Sequence, residues 1–146
     1  YWNDTSPTAS VFSIGSDGDV NQSTGTYIAY CFHSVEGYSK VGSYVGNGNA
    51  DGTFIYTGFK PAFVMIKDTT TTATNWTVID TVRNEYNVAG KELYPNEPDA
   101  EADYGRIDIV SNGFKNRIVG NYGNSSGDTY IYIAFAESPF KYSNAR

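Results

Sequence analysis

His33 is the only histidine in the chain and Cys31 the only cysteine, which bounds the chemistry the side chains could perform. A Ser-His-Asp triad needs its histidine beside a serine held on a sharp elbow, and the sequence has no Gly-x-Ser-x-Gly run. His33 instead closes an apolar run and reads as a structural residue at a strand end. One His and one Cys do not supply the N/S ligand set of a zinc site. Cys31 lies inside the same run, where a small buried hydrophobe is expected, and alone it makes no intrachain disulfide. Asn47, Asn49 and Asp51, followed by Gly52, place oxygens at alternate positions as in the first half of an EF-hand loop. The position that should carry a bidentate Glu is Gly58, and the flanks read as strands, so the EF-hand reading fails. A looser calcium turn at Asp17, Asp19 or Asp51 is a minor alternative. Glu36, Asp80, Asp108 and Glu137 fall near expected strand ends, where facing carboxylates could hydrolyse a glycosidic bond, but nothing in their spacing pairs them. No catalytic residue, metal or cofactor is expected, and the chain is not read as an enzyme.

Sugar binding is the better small-molecule chemistry. Exposed Trp and Tyr rings stack on a pyranose while neighbouring Asn and Asp hold its hydroxyls. Trp2, Tyr44, Trp76, Tyr104 and Tyr122 are the candidates. Asn-x-Ser/Thr sequons at Asn3, Asn21, Asn75 and Asn124 could carry glycans in a host that attaches them, although they are no more frequent than composition predicts.

The net charge is −6. Gripping nucleic acid requires a basic stripe that displaces counterions, and the ten Lys and Arg are scattered singly. Nucleic acid is excluded as a partner, as is an anionic membrane surface. No apolar stretch is long enough to span a bilayer and no signal peptide is visible. Tyr1 stands where an initiator Met would, so a processed chain or one domain of a longer protein is expected.

The elements that must position these residues are strands. Thirteen Tyr, eight Phe and two Trp, with Val and Ile, suit a pleated half-buried surface, and Gly, Ser, Thr and Asn punctuate the runs between turns. The pattern predicts one all-β domain over residues 1–146, an antiparallel β-sandwich of jelly-roll or lectin-like type with about nine strands. These fall near residues 10–14, 26–34, 38–45, 53–57, 62–67, 75–82, 106–110, 113–119 and 129–137. Ser111-Asn112-Gly113 predicts a tight hairpin. Residues 86–94 read as at best a helical turn, and Pro95 to Asp103 as a long acidic loop. Residues 26–32 and 129–135 form a weak repeat, each two-faced and apolar in the manner of a central strand.

An irregular arm, residues 1–9, precedes the first strand, and a tail, residues 138–146, follows the last. Ends that carry apolar anchors suit packing on a neighbour or adding a strand to its edge. Val11, Phe12 and Ile14 are the expected N-terminal anchors, with Phe140 and Tyr142 at the other end.

Longer runs carry a resemblance. Residues 30–44, 47–52, 56–67 and 111–115, and the ending over 130–146 with Ala134-Phe135-Ala136-Glu137 and Pro139-Phe140-Lys141-Tyr142, together resemble an uncharacterised C-terminal domain of large aquatic bacteriophage structural proteins of tail-fibre type. The likeness runs from Trp2 to Arg146 and is weakest over residues 69–74 and 92–103. It implies a structural or adhesive role outside the cell and a chain that ends near Arg146, and it brings no catalytic or binding residues with it. The expectation is therefore a self-assembling subunit of an extracellular fibre or filament, on a virion or a surface appendage, whose partners are identical copies. The alternative is a receptor-recognition module that binds surface carbohydrate.

Overall fold

Alternating apolar and polar residues place every second side chain on one face of a strand, and that face must be covered. A computed structural model describes residues 1, 3–120 and 122–139. The chain divides into two units, Tyr1–Cys31 and Phe32–Arg146.

Among its described residues the second unit holds eight strands: β1 (Ser39–Val45), β2 (Phe54–Tyr56), β3 (Pro61–Asp68), β4 (Thr77–Asp80), β5 (Ala89–Leu93), β6 (Ala102–Val110), β7 (Gly113–Asn116) and β8 (Thr129–Ala136). All pairs are antiparallel, in the order β1-β8-β3-β4-β5-β6-β7-β2, as one nearly closed, barrel-like sheet. The end strands β1 and β2 form a seam without a ladder, bridged where Thr53 Oγ1 donates to the Val45 carbonyl at 2.9 Å. The inward faces meet in one aromatic core. Tyr44 stacks on Tyr130 with centroids 5.1 Å apart, and Phe114 meets Tyr132 edge-on at 5.5 Å. Val64, Ile66, Ile79, Ile107 and Ala134 fill the space around these rings. Each fully buried large side chain contributes roughly 1.5–3 kcal/mol.

Seven of the nine expected strands form, and β5 is an eighth that alternation did not predict. The strands join in a single ladder order where a sandwich of two sheets was expected. The register shifts between Pro61 and Phe63 and between Ala89 and Lys91. Such bulges bend a sheet and let it curl around its own core. The expected hairpin is present, with Ser111 and Asn112 turning between Val110 and Gly113, which are paired.

Ala-Gly-Lys-Glu-Leu is a poor strand sequence, and β5 forms because its surroundings complete it. The Asn84 side chain accepts from the Gly90 and Lys91 N–H groups at 2.9 and 2.8 Å, and donates to the Asp80 and Lys91 carbonyls. Gly90 passes so close to β6 that a Cβ there would fall onto the backbone nitrogen of Gly105, itself at φ +59°. Gly90→Ala is therefore expected to destabilise by about 1–3 kcal/mol in urea unfolding, the usual range for overpacking. Gly18→Ala, with nothing within 4 Å of the new methyl, should stay within about 0.5 kcal/mol of the parent.

The first unit contains one helical turn, α1 (Gly18–Asn21), capped by the Asp17 carboxylate, which accepts from the Asp19 N–H at 2.9 Å. The Tyr27 hydroxyl donates to the Gly18 carbonyl and accepts from the Gln22 N–H. Neither residues 10–14 nor residues 26–34 form the strands expected of them. Among the described residues the backbone of residues 26–31 makes no backbone–backbone hydrogen bond, and a strand exists only where a second strand completes its ladder. Among the described residues of Tyr1–Cys31, none is buried.

Candidate functional site

The first surface of interest is that coreless unit. Thr8 donates its N–H to the Val11 carbonyl at 2.8 Å, and its hydroxyl oxygen accepts from the Val11 N–H at 3.1 Å, a local turn that fixes Val11. Val11, Phe12 and Ile14, the expected N-terminal anchors, are all exposed. Beyond α1, Ile28 is 79% exposed and Tyr30 81%, with Tyr27 also in water. Cys31 is exposed where a buried position was expected, because the strand that would have enclosed it does not form. His33 is exposed as well, its Nδ1 lying 3.0 Å from the Ser34 carbonyl. The two halves of the sequence repeat thus have different fates. Residues 129–135 lie in β8 between β1 and β3, whereas the similar residues 26–32 have no ladder. Phe140 and Tyr142, the expected C-terminal anchors, lie outside the described residues.

The second surface is built on a bulge of β6. Ala89 pairs with Ile107 and Lys91 with Asp103, so β6 spends extra residues around Gly105, and Tyr104 and Arg106 are re-aimed there. The Arg106 guanidinium meets the fully buried Glu92 carboxylate of β5 through two groups, Nε to Oε2 and Nη2 to Oε1, the latter at 2.5 Å. The Tyr94 hydroxyl donates to the same carboxylate. Burial, then that carboxylate, pushes the Tyr94 pKa up to about 12. Desolvation pulls the Arg106 pKa down, but the hydrogen bonds and charge of Glu92 outweigh it and hold the guanidinium above its usual value. The rings of Tyr104 and Tyr122 lie 4.8 and 4.7 Å from the guanidinium carbon. Around them opens a cleft of about 450 Å³, also lined by Asn75, Tyr94 and Asp99.

Two of the five expected sugar-stacking rings, Tyr104 and Tyr122, therefore meet in one place. Tyr44 is a core residue stacked on Tyr130, its hydroxyl donating to the Gly123 carbonyl at 2.8 Å, and it presents no face to a ligand. Trp76 is half-buried at the start of β4, and Trp2 lies outside the described residues. Of the sequons, Asn3 and Asn21 are exposed. Asn75 is half-buried, its Oδ1 accepting from Asn96. Asn124 is fully buried, with its Nδ2 donating to Asn47 Oδ1 and to the Asn49 and Ile118 carbonyls, so its amide is not presented for glycan attachment.

The carboxylates weighed for catalysis have cationic partners or stand in solvent. Asp80 binds Arg83, Asp108 lies 3.4 Å from Arg117, Glu137 pairs with Lys60 at 2.9 Å, and Glu36 is exposed. Asp51 is held by Lys115, which keeps its pKa below the usual carboxylate value. Among the described residues no three His, Cys, Asp or Glu gather as metal ligands, and no helix is long and apolar enough to cross a membrane.

Arg106, Glu92 and Tyr94 were not singled out by sequence. Their spacing gives no signal, because Tyr94 lies beyond the end of β5 and the bulge at Gly105 breaks the alternation that would relate Tyr104 to Arg106.

No curated protein and no solved structure matches the chain. A family model does match it, over residues 1–139 and hence across both units, and the chain belongs to that family, the domain of unknown function DUF7483.

Proposed function

We propose that the chain is a structural subunit of an extracellular fibre or filament, on a virion or a surface appendage, which joins identical copies head to tail through its terminal segments. The observation that carries this reading is the coreless first unit, with Val11, Ile14, Ile28 and Tyr30 all in water. Ordering a backbone costs about 1–2 kcal/mol per residue, and units below about 40 residues rarely meet that cost alone. The family match begins at residue 1, so these residues belong to the domain itself.

Residues 26–32 have the composition of β8 and lack only a neighbouring strand. The seam between β1 and β2 of another copy offers a place for one, with Val45, Phe54 and Tyr56 exposed along it. A contact between two different surfaces does not close on itself, and repetition gives a filament. The acidic surface keeps nucleic acid out of the partner list.

Light scattering over a concentration series, with electron microscopy of the full chain, tests the reading. The parent is expected to form multimers or filaments. Ile28→Lys combined with Tyr30→Lys is expected to yield monomers whose aromatic circular dichroism, dominated by the barrel core, is unchanged. A parent that is monomeric at every concentration, or a double variant that assembles like the parent, would overturn it.

A further inference from the structure

We propose that the cleft on the β6 bulge is a binding subsite for a neutral pyranose of a surface glycan, with Tyr104 and Tyr122 as its stacking platforms. Tyr104 is 59% exposed and Tyr122 45%, large apolar faces to leave in water. Both are held in place by the guanidinium of Arg106, which is itself fixed by the buried Glu92. Rings immobilised before the ligand arrives lose little freedom on binding, so more of the stacking energy appears as affinity.

The charge around the cleft selects the ligand class. Glu92 neutralises Arg106 through two contacts, so the guanidinium does not act as a free cation for a carboxylate or sulfate. Asp99 on the lining and the net charge of −6 both repel anions. What remains is a set of hydroxyl partners: the Asp99 carboxylate as acceptor, the Asn75 side-chain amide as donor, and tyrosine hydroxyls that serve as either. Two aromatic faces and a few convergent polar groups match the apolar and hydroxylated sides of a neutral sugar ring. The volume of about 450 Å³ lies within the range of small-ligand sites.

This site is independent of the assembly reading, because none of its residues lies in the first unit or on the β1–β2 seam. The test is an array of neutral and uronate-containing oligosaccharides probed with the labelled full chain, followed by titration of the best neutral binder against variants. Tyr104→Ala and Tyr122→Ala are each expected to weaken binding at least tenfold while lowering the melting temperature by no more than a few degrees and leaving the oligomeric state unchanged. Tyr86→Phe, an exposed ring outside both the cleft and the β1–β2 seam, should bind as the parent does. The proposal is overturned if no neutral glycan binds, if the uronates bind more tightly than their neutral counterparts, or if the two cleft variants retain parental affinity.

Discussion

Thermal stability is expected to fall steeply once the pH rises above 10, and the barrel should unfold as its tyrosines ionise. Burial is the first cause of raised pKa values at Tyr44, Tyr130, Tyr132 and Tyr94. A tyrosine whose pKa is raised in the folded chain favours folding below its unfolded value of 10.0, and that contribution is lost as the pH climbs. For Tyr94 the loss runs from 10.0 to about 12. For Tyr44, stacked beneath Tyr130 and against Phe114, it continues further. Each tyrosine that stays protonated when folded and ionises when unfolded subtracts about 1.4 kcal/mol per pH unit. Tyr44, whose pKa is raised furthest, gives that slope by itself, and the burial of Tyr130 and Tyr132 adds to the loss in the same direction, against a typical domain stability of about 5–15 kcal/mol. Tyrosinate absorbance should therefore rise cooperatively, together with the loss of aromatic circular dichroism. Tyr132→Phe should make the loss shallower. Tyrosines that titrate independently near their usual value, with no loss of structure, would contradict this account.

How much of this was legible in the residues depends on whether an element carries its own pattern or borrows it. β3 and β8 carry long runs of β-branched and aromatic residues, and with β1 were expected within a residue or two. β5 has no β-branched or aromatic residue, and its strand comes from the Asn84 side chain and the flanking β4 and β6. The opposite error occurs at residues 26–34, which read as a central strand because they resemble β8. Side-chain alternation says that a segment could be a strand, but the neighbouring strand has to come from somewhere else. In the proposed assembly that neighbour belongs to another copy.

The same limit applies to the cleft. Tyr104 and Tyr122 were legible as candidate platforms, but residue type alone does not separate them from Tyr44, which is in the core. Glu92 and Arg106 are 14 residues apart, and only the β5–β6 register brings them together. A reading that assigned residues 95–103 to a loop and residues 86–94 to a helical turn could not pair them.

Glu92→Gln is expected to cost about 3–5 kcal/mol, more than any other single change argued above, because it leaves the Arg106 cation desolvated without its counter-charge. The amide keeps the shape of the carboxylate but not its charge, so lost packing does not account for a change of that size. The Tyr104 and Tyr122 rings would return only about 0.5–1 kcal/mol each. Arg106→Met leaves the carboxylate uncompensated in turn and should be comparably costly. Glu92→Leu with Arg106→Met removes both charges at once and fills the space with apolar atoms, and it should cost far less than either single change. Salt provides a second readout. The buried pair should respond little to ionic strength, whereas Lys60 and Glu137, both nearly half exposed, should be screened. Urea unfolding of the two single variants and the double variant, at low and high salt, closes the cycle. If the double variant is as unstable as the singles, the pair acts by filling space and not by mutual neutralisation. The electrostatic argument for a neutral ligand in the adjoining cleft would then weaken with it.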